Sequence, residues 1–279
     1  MPTVNTNVAA IKARLSLDKV QRELDTSIAR LSSGKRITRA HDDASGLAIA
    51  GRMDSQIRGL TMNIKNAKDG QSLVDTQEGA LQEISAMLQR MRELAVQSSS
   101  GIAADADRNN LQLEFTQLFN EIEAVSQNTK FNDVRVLSGA SYSFYSDIDV
   151  AGTAISVLGI KAMATALMTS ISSVSISATQ LTTTTTGIAS SISRIDLAIG
   201  SVAAMRANLG AISNRFDHVI DNLTNVVANT EAAKSRVEDA DFAIETTQLT
   251  RNTVLQQAAT SMVAQANASK NMLLALIQG

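Results

Sequence analysis

Between Met205 and Ile244 the apolar residues recur at intervals of four and three without a break: Met205, Leu209, Ile212, Phe216, Val219, Leu223, Val226, Thr230, Ala233, Val237, Ala240 and Ile244, with Thr230 the one polar member. That alternation keeps a narrow apolar stripe on one side of an α-helix, the pattern of a coiled-coil seam. A seam of this length commits the chain to helix-against-helix packing and leaves little room for a catalytic cleft. A helix from Ile188 to Ile244 would be about 85 Å long at 1.5 Å per residue. No proline interrupts it, the sole proline being Pro2.

Composition points the same way. The 279 residues include no Trp, no Cys and eight aromatics, and none of the aromatics precedes Phe115. A compact core of this size draws on aromatics for volume, so an elongated helical body is expected. The net charge of −2 argues against a general nucleic-acid binder, which carries a basic excess. Zero Cys excludes disulfides, thiolate metal sites and Cys nucleophiles. Met1–Ala10 lacks a basic region followed by an apolar core, so no ordinary signal peptide is expected. No run of about 20 apolar residues is evident, so no membrane insertion is expected.

Three zones follow one another. The first, to about Thr129, is helical in pattern. Val4, Val8, Ile11 and Leu15 form a stripe that Val20, Leu24, Ser27 and Leu31 continue after a shift. Ser32-Ser33-Gly34 ends that helix and Asp42-Asp43 caps the next, since Gly suits a C-terminal cap and carboxylates suit a helix N-terminus. The second helix carries Ile57, Leu60, Ile64, Ala67, Val74, Leu81, Leu88 and Ala95 in heptad register and ends near Ser98–Gly101. Gly46, Gly51, Gly59, Gly70 and Gly79 lie inside it, each costing about 1 kcal/mol against Ala. Packed neighbours must stabilise such a helix, and the missing side chains allow close approach. Asp105 is expected to cap a third helix carrying Leu111, Phe115, Leu118, Ile122 and Val125.

The second zone changes character. Asn132-Asp133, Ser138-Gly139 and Ala151-Gly152 are turn signals, and Val134–Leu137, Tyr142–Asp149 and Ala154–Ile160 are β-leaning runs. Six of the eight aromatics fall between Phe115 and Tyr145, which places a small conventional core there. A charge-free Ser/Thr-rich segment, Ala162–Ser193, reads as polar surface. The third zone, from about Ile188, is helical again. It carries the opening seam and a second register of Leu255, Ala259, Met262, Ala266, Ser269, Leu273 and Leu276. The fold class is therefore mainly α: long antiparallel helices in a coiled-coil bundle, with a small β-hairpin region in the middle of the chain.

Little in the sequence suggests catalysis. The two histidines, His41 and His218, lie in different zones without a zinc motif. His41 beside Asp42 reads as a loop ion pair and His218 as a helix-surface residue. No phosphate-binding loop, dinucleotide glycine pattern or nucleophile elbow occurs. Glu238-Asp239 and Asp42-Asp43 read as solvated caps, and the sequons at Asn222 and Asn267 fall on helices. The expectation is no enzyme, no metal and no cofactor.

Two N-terminal runs do more than set a pattern: Leu31-Ser32-Ser33-Gly34-Lys35-Arg36-Ile37, then Asp42-Asp43-Ala44-Ser45-Gly46-Leu47-Ala48-Ile49. They closely resemble the N-terminal signature of bacterial flagellins, as do Thr76–Leu81 and Gln89–Gln97. Ser235–Phe242 and Gln256–Asn267 resemble the C-terminal signature. Only Val134 to about Ser190 lies outside the likeness, which implies a short form without large inserted surface domains. Three places depart from the common pattern: the opening Met1–Asn7, Ala268-Ser269-Lys270 without a proline, and the ending Leu276–Gly279.

The resemblance implies an extracellular filament subunit of the bacterial flagellum, exported unfolded by a type III apparatus with an export chaperone. It also implies contact with filament cap and hook-junction proteins. Residues 1–43 and 237–279 would form the inner filament core. Residues 44–236 would form an outer-shell rod, with helices 44–100, 105–129 and 188–236 and a β-hairpin and variable segment at 130–187. Val4, Val8, Ile11, Leu15, Leu24, Leu31, Leu255, Met262, Leu273 and Leu276 are the candidate self-assembly residues. In many flagellins the segment matching Gln89–Gln97 contacts an animal Toll-like receptor. That carries Arg90, Leu94 and Glu114 as candidate receptor contacts, with Arg90 and Leu94 expected on an exposed helix face. The alternatives are a hook–filament junction protein and a non-flagellar coiled-coil adaptor.

Overall fold

The computed structural model describes residues 6–137, 142–145, 154–157 and 186–278. In chain order the described elements are α1 (Val8–Ser33), α2 (Ala44–Ser98), α3 (Asp105–Asn128), β1 (Lys130–Phe131), β2 (Val134–Arg135), β3 (Tyr142–Tyr145), β4 (Ala154–Val157), α4 (Thr186–Glu238) and α5 (Phe242–Gln278). They fall into two compact units, Met1–Ile57 with Ala228–Gly279, and Arg58–Val227. Most of the polar segment Ala162–Ser193 lies outside the described residues, up to the start of α4 at Thr186.

The unit Arg58–Val227 holds the main core. On α2 the heptad positions Ala67, Val74, Leu81, Leu88 and Ala95 are buried, as their spacing predicts. The helix has a second buried face at Leu73 and Leu94, with Ala80 and Met87 packed against the same core. Two buried faces let α2 serve α4 and α3 at once, with Phe115 and Ile122 of α3 fully enclosed. Arg92–Asp196 at 2.6 Å, Arg206–Glu78 at 2.7 Å and Gln71–Asp217 at 2.8 Å pair rising positions on α2 with falling ones on α4, so the two helices are antiparallel. The α4 seam starts further upstream than Met205: Ser191, Ile195, Ala198 and Val202 are also buried.

Two short hairpins pack on this core. Asn132 and Asp133 both take positive φ, 49° and 62°, and join β1 to β2 in a tight turn of the kind that Asn and Asp tolerate. β3 pairs antiparallel with β4, with Tyr142 opposite Val157 and Phe144 opposite Ile155. Phe144 meets Phe216 of α4 edge-on, with ring centroids 5.7 Å apart. Gly70 makes that pairing possible: a Cβ there would sit 2.8 Å from Phe216 and 3.1 Å from Phe144. Gly51 and Gly79 face open space, so close approach does not explain them.

Two expectations need amending. The seam does not run through Ile244 in one helix. α4 stops at Glu238 and α5 starts at Phe242, because Asp241 turns its carboxylate onto the N–H groups of Ala243 and Ile244 as a helix cap. The stretch Ala189–Glu238 is also long and apolar enough by composition to cross a bilayer. Its Ile195, Val202, Leu209 and Phe216 are nonetheless buried in the protein's own core. Its Asp196 and Arg206 are ion-paired to α2. Those are the commitments of a core helix.

The glycines give a signed test. Gly70→Ala should destabilise by about 1–3 kcal/mol through overpacking. Gly79→Ala should stabilise by about 0.5–1 kcal/mol by restricting the unfolded chain. Urea denaturation followed by circular dichroism measures both.

Candidate assembly surface

The unit Met1–Ile57 with Ala228–Gly279 is built differently. α1 begins where the Asn7 side chain accepts the Ala10 N–H, and ends at Gly34, whose φ of 70° is the left-handed conformation that favours glycine. That turn aims the next residues at the α4–α5 junction. The Arg36 N–H donates to the Glu238 carbonyl at 2.7 Å, and the Ala240 N–H donates to the Gly34 carbonyl at 3.0 Å. Lys35 and Asp239 form an antiparallel bridge. The Glu238 carboxylate is buried there, 2.5 Å from Lys35 Nζ. Lys234 lies 2.6 Å from Asp54. Further along, Arg30 meets Glu245 at 2.9 Å across α1 and α5.

Beyond this junction α1 and α5 pack antiparallel through a narrow seam. α1 offers Ala10, Ala13, Leu17, Val20, Leu24, Ser27 and Leu31, buried or half-buried, in an unbroken three–four spacing. α5 answers with Glu245, Leu249, Asn252, Gln256, Ala259, Val263 and Ala266. Glu245, Asn252 and Ser27 are its fully buried polar members. The sequence pattern located the second half of the α1 seam, Val20, Leu24, Ser27 and Leu31, and shared Ala259 and Ala266 with the α5 seam. It missed Ala10, Ala13 and Leu17 on α1, and Glu245, Leu249, Asn252, Gln256 and Val263 on α5.

A further set of large apolar residues points outward. Val8 is 50 % exposed, Ile11 49 %, Leu15 64 %, Leu255 40 % and Met262 63 %, and Ile244 and Val254 are exposed too. Of the candidate assembly residues, Val8, Ile11, Leu15, Leu255 and Met262 thus stand on free faces. Leu24 and Leu31 are half-buried in the seam inside the chain. Val4 lies outside the described residues. Leu273 and Leu276 lie within α5, but their side chains fall outside the described residues.

The candidate receptor residues separate. Arg90 and Glu114 are half-exposed and ion-paired at 2.9 Å, and Arg90 also reaches Glu93 at 3.0 Å. The hydrogen bonds from Glu93 and then Glu114 raise the Arg90 pKa above its ordinary value. Leu94, expected on the exposed face, is instead completely buried. It belongs to the second apolar stripe of α2, which packs in the core that α3 shares.

The capping residues are shifted as geometry requires. Asp42 accepts from the Thr38 hydroxyl and from the Thr38 and Arg39 N–H groups, which lowers its pKa. Asp43 accepts from the Gly46 N–H and the Ser45 hydroxyl and is lowered likewise. His41 sits 3.2 Å from Asp42 and is well exposed. Among the described residues no three His, Asp or Glu side chains converge as a metal site would need.

Residues 4–142 match the bacterial flagellin N-terminal helical region and residues 192–277 the bacterial flagellin C-terminal helical region. A flagellin of Salmonella muenchen is 44 % identical over 169 residues, covering 57 % of this chain and 34 % of that protein. A flagellin of Salmonella typhimurium is 50 % identical over 135 residues, covering 48 % of this chain and 27 % of that protein. The chain thus spans about a third of the length of these curated relatives. A solved structure described as a flagellar hook-associated protein from Vibrio parahaemolyticus shares the fold, with a TM-score of 0.61 at 12 % identity over 71 % of this chain and all of that one.

Removing the Asp43 cap should lower stability at neutral pH. Because its folded pKa is depressed, the contribution is fully present above the ordinary aspartate value of about 3.9 and fades as pH falls through the lower folded value. Thermal melts of the parent and Asp43→Ala should differ at pH 7 and converge in strong acid.

Proposed function

The chain belongs to the bacterial flagellin family, and we propose that it is a structural, non-enzymatic subunit that polymerises into the extracellular flagellar filament. One observation carries this reading: α1 and α5 share one seam of mixed apolar and polar residues within the chain, while a second set of large apolar residues, Val8, Ile11, Leu15, Leu255 and Met262, faces outward. Among the described residues nothing covers those outward side chains. Covering one Leu-sized side chain contributes about 1.5–3 kcal/mol, so several per subunit offset the cost of ordering the helices. A contact of this kind that does not close on itself propagates into a filament.

On this reading residues 1–43 and 237–279 form the inner core of the polymer and residues 44–236 its outer shell. Support comes from the contrast between the thinly packed terminal unit and the aromatic-containing core of the Arg58–Val227 unit. The family reading also supplies an export chaperone, the type III machinery, and cap and hook-junction proteins as partners. A receptor contact, where one forms, rests on the exposed Arg90–Glu114 pair, with Leu94 supporting it from below.

Purified protein should show protease-sensitive ends, roughly 1–40 and 240–279. It should form long filaments by negative-stain microscopy when short seeds and salt are added. Leu15→Glu and Met262→Glu should each abolish polymerisation and leave the helical circular-dichroism signal of the folded middle intact. A parent that remains a small ordered oligomer under seeding points to the coiled-coil adaptor instead, and charged variants that polymerise normally would also overturn the proposal.

A further inference from the structure

We propose that polar contacts, led by the Arg30–Glu245 pair, set the register of α1 against α5, and that the apolar seam does not. The links between the two helices fall on one diagonal. Asn7 Nδ2 donates to the Ala266 carbonyl at 3.0 Å, Gln256 Nε2 donates to Gln21 Oε1 at 2.5 Å, and Arg30 meets Glu245 at 2.9 Å. The residue numbers of these pairs add up to 273, 277 and 275. The bond between Gly34 and Ala240 adds up to 274 and continues the same diagonal. Each link therefore specifies the same antiparallel alignment.

The seam by itself specifies no alignment. In the observed register Leu24 stands opposite Asn252 and Val20 opposite Gln256. A slip of one heptad, about 10.5 Å, would set Leu24 opposite Ala259 and Val20 opposite Val263, matching apolar against apolar better than the native pairing does. Heptad periodicity always permits such slips, and in coiled coils buried polar residues choose among them. Here every slip separates Arg30 from Glu245, whose carboxylate side chain is only 10 % exposed. Stranding that charge is costly. Arg30 and Glu245 are thus positioning residues for the outward stripes, since a slip would carry Leu255 and Met262 along the axis relative to Leu15.

The absence of Cys makes the register directly readable in the full-length protein. Leu17→Cys with Ala259→Cys reports the native alignment, and Leu24→Cys with Ala259→Cys reports the slip of one heptad that sets those two residues opposite each other. Each intrachain disulfide runs as a faster-migrating monomer on a non-reducing gel. In the otherwise unaltered chain the native pair should dominate. Glu245→Arg opposes two guanidiniums in the native register, whereas that slip carries residue 245 past Ser33, the last residue of α1. It should lower the native-to-slipped ratio tenfold or more, or abolish both disulfides. Arg30→Glu with Glu245→Arg should restore the native ratio, which general loss of helix stability would not do. A smaller change in Glu245→Arg, or no restoration in the swapped pair, overturns the proposal. The ratio is read on pelleted polymer, or on soluble chain where none forms, so failure to polymerise bears on the assembly reading alone.

Discussion

The antiparallel packing of α4 on α2 is the interaction on which the Arg58–Val227 unit depends. From Ser191 to Leu223 the α4 seam is buried at nearly every heptad position. Phe216 is fully enclosed there and takes the edge of Phe144 over a position where α2 has no side chain. α2 could not tolerate its glycines as an isolated helix. Packed against α3 and α4 it tolerates them, and Gly70 becomes the place where two aromatic rings approach the backbone. The hairpins are held by the same ring pair and by Gln77, whose buried amide donates to the Val136 carbonyl at 2.7 Å. A single apolar line on α4 thus organises helices and hairpins together.

The terminal unit reverses that logic. Among the described residues its buried apolar side chains are Ala10, Ile37 and Ala50, and its buried polar ones are Ser27, Glu238, Glu245 and Asn252. Among the described residues the α1–α5 seam fully buries no large apolar side chain, its Leu and Val members being half-buried, so the pair gains little transfer free energy from within. The ion pairs and backbone bonds around Gly34 and Glu238 fix where the pairing starts. Among the described residues nothing covers the outward stripes. Weak internal packing and strong outward stripes are one design when the chain must order only alongside others.

Much of this was legible from spacing. The α2 heptads, the Gly34 stop, the Asp43 cap and the Asn132-Asp133 turn each follow from a local rule that tertiary structure did not oppose. Asp105 missed the cap by one residue: the cap position is Ala104, whose N–H the Asp107 carboxylate accepts at 3.3 Å. α1 and α5 each carry two stripes. Val8, Ile11 and Leu15, expected as assembly residues, stand exposed, while the chain buries or half-buries Ala10, Ala13 and Leu17, which the apolar pattern did not single out. Leu94 is the harder failure. One charged neighbour at Arg90 suggests a surface, yet Leu94 is spaced by sevens from Leu73, Ala80 and Met87, and that line is a core line.

The break at Asp239–Asp241 explains why an unbroken rhythm in the sequence yields two different helices. Had α4 continued, Ile244 would have kept the stripe facing inward. Three non-helical residues rotate the new helix so that Glu245 enters the seam and Ile244 turns outward, 58 % exposed. The rotation moves the larger apolar residues of α5, Leu255 and Met262 among them, onto the free face. It also brings Glu245 to Arg30. The cap that ends one helix therefore decides which residues the next one hides, and the periodicity of the sequence cannot record that choice because the rhythm runs through the break unchanged.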